Sequence, residues 1–349
     1  TRRNALRTLA GLGVGTLVFQ RALAVQAAET GAVTAEMVRQ AEWVAGIELQ
    51  EEDREAVADG LRRTMESVRN LRQVPIGYDV PPAIHFHAAP NQPPNSGAPR
   101  GQIQPIESAA GKRPDSDDDL CFLPVSELAA LLRSRQVSSE ELTKLYLARL
   151  RTHDPTLKCV ITYTEELALR QARKADREIA AGRYRGPLHG VPWGAKDLIA
   201  VPGYPTTWGA PAFKEQTLDH AATVANRLEA SGAVLVAKLS LGALASGDRW
   251  FGGKTRNPWN PKQGSSGSSA GSASATAAGL VGFTLGSETL GSIVSPCRRC
   301  GATGLRPTFG RVSRHGCMSL AWSMDKIGPI TRSVEDCALV FSAIHGWDG

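Results

Sequence analysis

One stretch limits the folds open to this chain more than any other. Gly264-Ser265-Ser266-Gly267-Ser268-Ser269-Ala270-Gly271-Ser272 runs straight into Ala273-Ser274-Ala275-Thr276-Ala277-Ala278-Gly279 and then into the apolar run Leu280–Leu285. Alone, a Gly/Ser tract reads as a flexible linker. Placed before a helix of small residues with a glycine stop and then a buried strand, it reads as a loop at a helix N-terminus. Such a loop turns backbone N–H groups and hydroxyls toward a site.

The neighbouring pattern agrees from about Asp117 onward. Ser138-Ser139-Glu140-Glu141 is a capping box, opening a helix that carries Leu142, Leu145, Tyr146 and Leu150 and ends near Pro155. A second helix is expected from about Glu165 to Ala181, stopped by Gly182. Ala222–Ala230 reads as a short helix, Ala233–Ala237 as a buried strand, and Val334–His345 as another helix. Alternating strands and helices imply an α/β fold, with a parallel or mixed sheet covered on both faces. In such sheets, sites lie at the carboxyl ends of the strands. With 349 residues, 42% hydrophobic and 21% charged, the chain can bury an ordinary core and is neither disordered nor collagen-like.

The net charge of +6 divides unevenly. Residues 1–24 hold Arg2, Arg3, Arg7 and Arg21 and no acid, leaving +2 for the rest. No basic stripe suits a nucleic-acid backbone. Residues 1–24 also show a basic start, a short apolar stretch from Leu9 to Phe19 and the small-residue site Ala22-Leu23-Ala24. They read as a signal peptide, of twin-arginine type because Arg2 and Arg3 are adjacent. Export with no stable membrane span after processing is the expectation. Thr1 in place of Met implies a missing start. Residues 25–80 read as a helical arm with two amphipathic helices over 34–72. Residues 81–116 read as a Pro-rich linker; His85 and His87 lie in it without a third ligand nearby, so no metal is expected.

Two further segments can carry chemistry. Gly190-Val191-Pro192-Trp193-Gly194-Ala195-Lys196-Asp197 places a lysine among apolar and small residues. Burial would lower its pKa and make it a usable base. Gly286-Ser287-Glu288-Thr289-Leu290-Gly291-Ser292-Ile293 follows the Leu280–Leu285 run. A serine in a glycine-containing turn at a strand end can act as a nucleophile, with adjacent N–H groups as an oxyanion hole. Three motifs are decoys. Gly267–Gly271 matches G-x-S-x-G, but Asn257-Pro258-Trp259-Asn260-Pro261 before it cannot be a core strand. Gly252-Gly253-Lys254-Thr255 lacks the first P-loop glycine, with Asp248 in its place. Cys297 and Cys300 form a lone C-x-x-C, unsuited to structural zinc; in an exported protein a local disulfide is conceivable.

In this order, these segments resemble the amidase signature family over about Phe122–Gly349. The resemblance implies an α/β/α sandwich around a mixed twisted sheet, residues 117–349 forming the catalytic domain. The family's domain continues past the position of Gly349, so an incomplete C-terminus is expected. The resemblance assigns the nucleophile to Ser292, a bridging serine on a cis peptide to Ser268, and the base to Lys196. It places the oxyanion hole on the backbone of Thr289, Leu290, Gly291 and Ser292, and substrate contacts at Gly267 and Ser269. No cofactor is implied. The sequence departs from the family pattern at Ser266 and Ala270, where glycines are usual, and at Leu290, where a side chain could restrict the turn. Glu288 replaces an Asp, and Val294 an Arg. Residues 44–52 also resemble the small C subunit of the tRNA-dependent Asp/Glu amidotransferase.

The expected activity is hydrolysis of a small-molecule amide through an acyl-enzyme. One alternative is the glutaminase-type A subunit of a tRNA-dependent Asp/Glu amidotransferase, which belongs in the cytoplasm. Another is a non-catalytic fragment or scaffold.

Overall fold

The computed structural model describes residues 33–74 and 111–347. The signal-peptide segment and residues 81–110 of the linker, with His85 and His87, lie outside the described residues. The first unit contains helices α1 (Ala35–Ala45) and α2 (Glu51–Arg72). Thr34 caps α1, its hydroxyl accepting the Met37 N–H. Arg54 joins the two helices by donating to Glu42 at 2.6 Å. On α2, Val57, Leu61 and Val68 stay partly exposed. No described helix is long and apolar enough to cross a membrane.

The second unit is α/β. Its sheet strands are β1 (Val160–Tyr163), β2 (Pro192–Lys196), β3 (Val234–Leu239), β4 (Phe283–Glu288), β5 (Thr303–Gly304) and β6 (Lys326–Thr331). Its helices are α3 (Asp117–Phe122), α4 (Val125–Arg133), α5 (Ser139–Leu157), α6 (Glu165–Ala180), α7 (Thr223–Ala230), α8 (Ala270–Ala277), α9 (Val294–Cys300) and α10 (Val334–Ile344). The strands lie in the order β1-β3-β2-β4-β6-β5. β3, β2 and β4 are parallel, while β1, β6 and β5 join antiparallel. The sheet is therefore mixed.

Alternation along β3 shows why both faces are covered. Leu235 enters one core cluster with Trp193, Phe283 and Leu128. Its neighbours Val234 and Val236 enter another with Leu150, Ala168 and Ala275. Successive strand side chains point to opposite faces, so the sheet buries apolar residues on each. Trp193 and Phe283, paired across β2 and β4, stack with ring centroids 6.1 Å apart.

Several expected boundaries move. The capping box at Ser138 and Glu141 is present, but α5 continues through Pro155 and closes at Lys158 in the left-handed region. The strand expected at Leu280 begins at Phe283; Leu280 and Val281 are buried in the preceding turn, against Ala275. β2 and β6 contain Pro192, Gly194, Gly328 and Pro329, residues depleted in strands, and neither was read as a strand from the sequence. The 256–264 segment forms only a short ribbon, Arg256–Asn257 against Asn260–Gly264, with Asn260–Gln263 exposed.

Every residue of α8 is buried, and its composition follows from that. A Cβ on Gly271 would lie 2.4 Å from the Cys159 carbonyl oxygen and 2.6 Å from the Ser240 nitrogen. Alanine would gain about 1 kcal/mol of helix propensity over glycine, but this contact involves backbone and cannot relax cheaply. Gly271→Ala is expected to destabilise the protein by about 1–3 kcal/mol, read as a lower midpoint of thermal unfolding. An unchanged or raised midpoint would show that α8 is not seated this closely.

Candidate active site

Lys196 ends β2 and is fully buried. Its Nζ lies 2.8 Å from Ser268 Oγ, 2.8 Å from Ser287 Oγ, 3.1 Å from Ser269 Oγ and 3.3 Å from the Ser287 carbonyl oxygen. Among the described residues, no carboxylate bonds to it. Burial pulls its pKa down to about 7, with Asp325, Glu288 and Cys317 drawing it back only in part. The neighbouring strand offers a contrast. Lys238, on β3, is equally buried but sits 2.7 Å from the Asp197 carboxylate. Of these two interior lysines, Lys238 has an ion-pair partner and Lys196 has hydroxyls.

The hydroxyl contacts fix where protons can sit. A neutral amine has two N–H donors and one lone pair. Ser269 donates its hydroxyl to the Ser287 carbonyl at 3.1 Å and accepts the Ser287 N–H at 3.2 Å. Its single proton is thus committed, and toward Lys196 it can only accept. If the Ser287 carbonyl takes the second amine proton, the lone pair is left for a hydroxyl at 2.8 Å, that of Ser268 or Ser287.

The Gly/Ser loop is built to place these groups. The Ser266 N–H donates to Asp248 at 3.3 Å, and Ser266 itself adopts φ 62°, a left-handed conformation that glycine occupies at lower cost. The Gly267–Ser268 peptide is cis. Ser268 and Ser269 are buried, and Ser269 is the N-cap residue just before α8.

The Thr289–Ser292 turn lies against this loop. Ser269 N–H donates to the Ser292 carbonyl at 3.1 Å, and Ser266 Oγ meets Ser295 Oγ at 2.9 Å. Ser292 is half-buried. The left-handed conformation falls on Gly291, φ 89°. Leu290, 67% exposed, turns its side chain outward and does not crowd the turn. Glu288 is buried beneath, accepting the Ile293 and Val294 N–H groups at 2.7 and 2.9 Å. Burial would raise its pKa, but these N–H groups, that of Gly291 and Arg306 outweigh it and lower it. The cation beside Glu288 is Arg306, 3.3 Å away; Val294 is exposed.

The structure thus brings Lys196, Ser268 and Ser269 into direct contact and ties Ser292 to them through the main chain. Three neighbours had no site role in the sequence reading: Ser287, Asp325 and Lys326. A cavity of about 430 Å³ opens beside them, its lining including Ser287, Asp325, Arg314, Cys317, Met318 and Trp322. The possible disulfide is corrected, since all six cysteines are free. Cys300 directs its thiol to the Ser265 carbonyl at 3.6 Å, while Cys297 packs with Ile293 and Ile330.

With this geometry established, the family model described as Amidase matches residues 141–349. The chain belongs to the amidase signature family. AmiD of Mycobacterium tuberculosis, named as a candidate amidase, is 44% identical over 244 residues, 69% of this chain and 51% of its own length. The A subunit of the glutamyl-tRNA(Gln) amidotransferase of Moorella thermoacetica is 42% identical over 233 residues, 66% of this chain and 48% of its own. The native peptide amidase from Stenotrophomonas maltophilia superposes with a TM-score of 0.62 at 40% identity, over 64% of this chain and 48% of that one. The chain spans about half the length of these relatives.

Glu288 gives the site a direct test. Glu288→Ala leaves the buried Ile293 N–H and the partly buried Val294 N–H without their acceptor, at up to about 1–3 kcal/mol each. A loss of about 2–4 kcal/mol in denaturant unfolding is expected, with a smaller loss for Glu288→Gln. Equal stability of Glu288→Ala and the wild type would show that the carboxylate does not brace the turn.

Proposed function

We propose that this protein hydrolyses amides by acyl transfer, with Ser292 as nucleophile, Ser268 as bridge and Lys196 as base. The observation that carries this reading is the buried Lys196 amine, 2.8 Å from the Ser268 hydroxyl and with no acid bonded to it. The Ser292 Oγ attacks the amide carbonyl as its proton passes to Ser268 and the Ser268 proton passes to Lys196. The tetrahedral oxyanion is held by N–H groups of the Thr289–Ser292 turn. The relay then runs in reverse: the leaving nitrogen takes a proton, the C–N bond breaks and Ser292 is left acylated. Water, deprotonated by the same relay, releases the acid and regenerates the serine.

Ser269 is assigned to supporting Lys196 rather than to substrate, because its hydroxyl is buried and fully engaged. Gly267 remains the loop's candidate substrate contact. The substrate is a small-molecule amide, and the compartment, from the Arg2-Arg3 leader, is outside the cytoplasm. The similarity to an amidotransferase's A subunit supports a second reading, in which the same acyl transfer releases ammonia from glutamine for a cytoplasmic partner. A reporter fused after Ala24 separates the two: export favours the hydrolase, retention the amidotransferase role.

A fluorophosphonate probe tests the mechanism without a known substrate. One adduct on Ser292 is expected by intact mass and peptide mapping, absent in Ser292→Ala. Because the neutral amine is the base and the Lys196 pKa lies at about 7, the labelling rate rises with pH through about 7 and levels off above it. Lys196→Ala removes that rise and slows labelling by about 10²–10⁴-fold. An adduct elsewhere, or a pH rise that survives Lys196→Ala, would overturn the assignment.

A further inference from the structure

Two consecutive residues grip Thr289, the first residue of the nucleophile turn, from two sides. Thr289 donates its hydroxyl to Asp325. Lys326 Nζ donates to the Thr289 carbonyl at 2.9 Å. Asp325 is anchored in turn, its other oxygen accepting the Leu320 and Ala321 N–H groups at 2.7 and 3.1 Å and the Ser319 hydroxyl at 3.2 Å. Asp325 and Lys326 are both buried.

These contacts fix the direction of a particular N–H. In a planar trans peptide the carbonyl and the following N–H point in opposite directions. Holding the Thr289 carbonyl on Lys326 therefore turns the Leu290 N–H away from Lys326. The same geometry operates two residues on. Ser295 N–H donates to the Gly291 carbonyl at 2.7 Å, which turns the Ser292 N–H the other way. Beyond it, the peptide joining Ser292 and Ile293 is held on both edges, by Ser269 N–H on its carbonyl and by Glu288 on its N–H. Among the described residues, no hydrogen bond takes up the Leu290 or Ser292 N–H. Both ends of the turn are clamped, and two uncommitted donors lie between them.

We propose that Asp325 and Lys326 are positioning residues for acyl transfer, holding Thr289 so that the Leu290 N–H is oriented in advance as an oxyanion donor. The proposal rests on Ser292 being the nucleophile. Lys326 adds a second effect: an ammonium on the Thr289 carbonyl polarises that peptide and strengthens the Leu290 N–H as a donor. The fold does not depend on the ammonium for strand pairing, since the β4–β6 ladder pairs Lys326 with Glu288 through the main chain.

The test is saturation kinetics of fluorophosphonate labelling at Ser292. In that reaction the serine oxygen–phosphorus bond forms, the phosphorus–fluorine bond breaks, fluoride leaves and the serine proton enters the relay. Lys326→Met, which keeps the apolar stem, is expected to lower the limiting rate about 10- to 100-fold, below the full loss of one oxyanion donor. The half-saturating probe concentration and the melting temperature stay near wild type, and Lys326→Arg restores much of the rate. Thr289→Val reproduces the slow limiting rate and Thr289→Ser restores it, which keeps the test decisive if Lys326→Met fails to fold. Wild-type limiting rates in both Lys326→Met and Thr289→Val would overturn the positioning role while leaving Ser292 as nucleophile. A wild-type protein unlabelled at Ser292 would overturn the nucleophile assignment, and the positioning role with it.

Discussion

An amine buried without an acid is the constraint from which the rest of this site follows. Taking the charge of Lys196 out of water is costly unless a counter-ion compensates it. Asp197 compensates Lys238. For Lys196 the neighbours are three hydroxyls and a carbonyl, which can bond the neutral amine as readily as the charged one. The balance moves toward the neutral form, and the lysine becomes a base at pH near 7. No histidine is needed for that.

The sheet order explains how four distant segments reach one point. β2 delivers Lys196, and its parallel neighbour β4 delivers Ser287 and then the turn bearing Ser292. The α8 helix lies close enough for its leading loop to bring Ser268 and Ser269 under the amine, and Gly271 is what permits that approach. β6, antiparallel to β4, sets Asp325 and Lys326 opposite the start of the turn. Carboxyl ends of parallel strands and the beginning of an antiparallel one therefore converge, as the mixed topology requires.

Much of this was legible in the chain. Gly264–Ser272 before a small-residue helix announced a loop turning N–H groups and hydroxyls toward a site, and the family resemblance carried by the order of motifs pointed to Lys196, Ser268 and Ser292. Other parts were not legible. β2 and β6 carry glycine and proline where strand propensity expects β-branched residues, so burial between neighbouring strands, not composition, defines them. Ser287 looked like any serine in a turn until Lys196 stood 2.8 Å away. Leu290 looked like an obstruction, yet its side chain points outward because Gly291 takes the left-handed conformation.

The sequence by itself determined the α/β class, the chemical types available to the site and their chain order, because periodicity, capping and glycine placement are local properties. Tertiary structure alone decided which lysine lacks a counter-ion, which serine hydroxyls have a proton free to give, and which N–H groups of the turn remain uncommitted. Those facts depend on groups far apart in the chain. Asp325 and Thr289 are separated by 36 residues and Lys196 and Ser287 by 91, and only packing sets their distances and their exclusion from water.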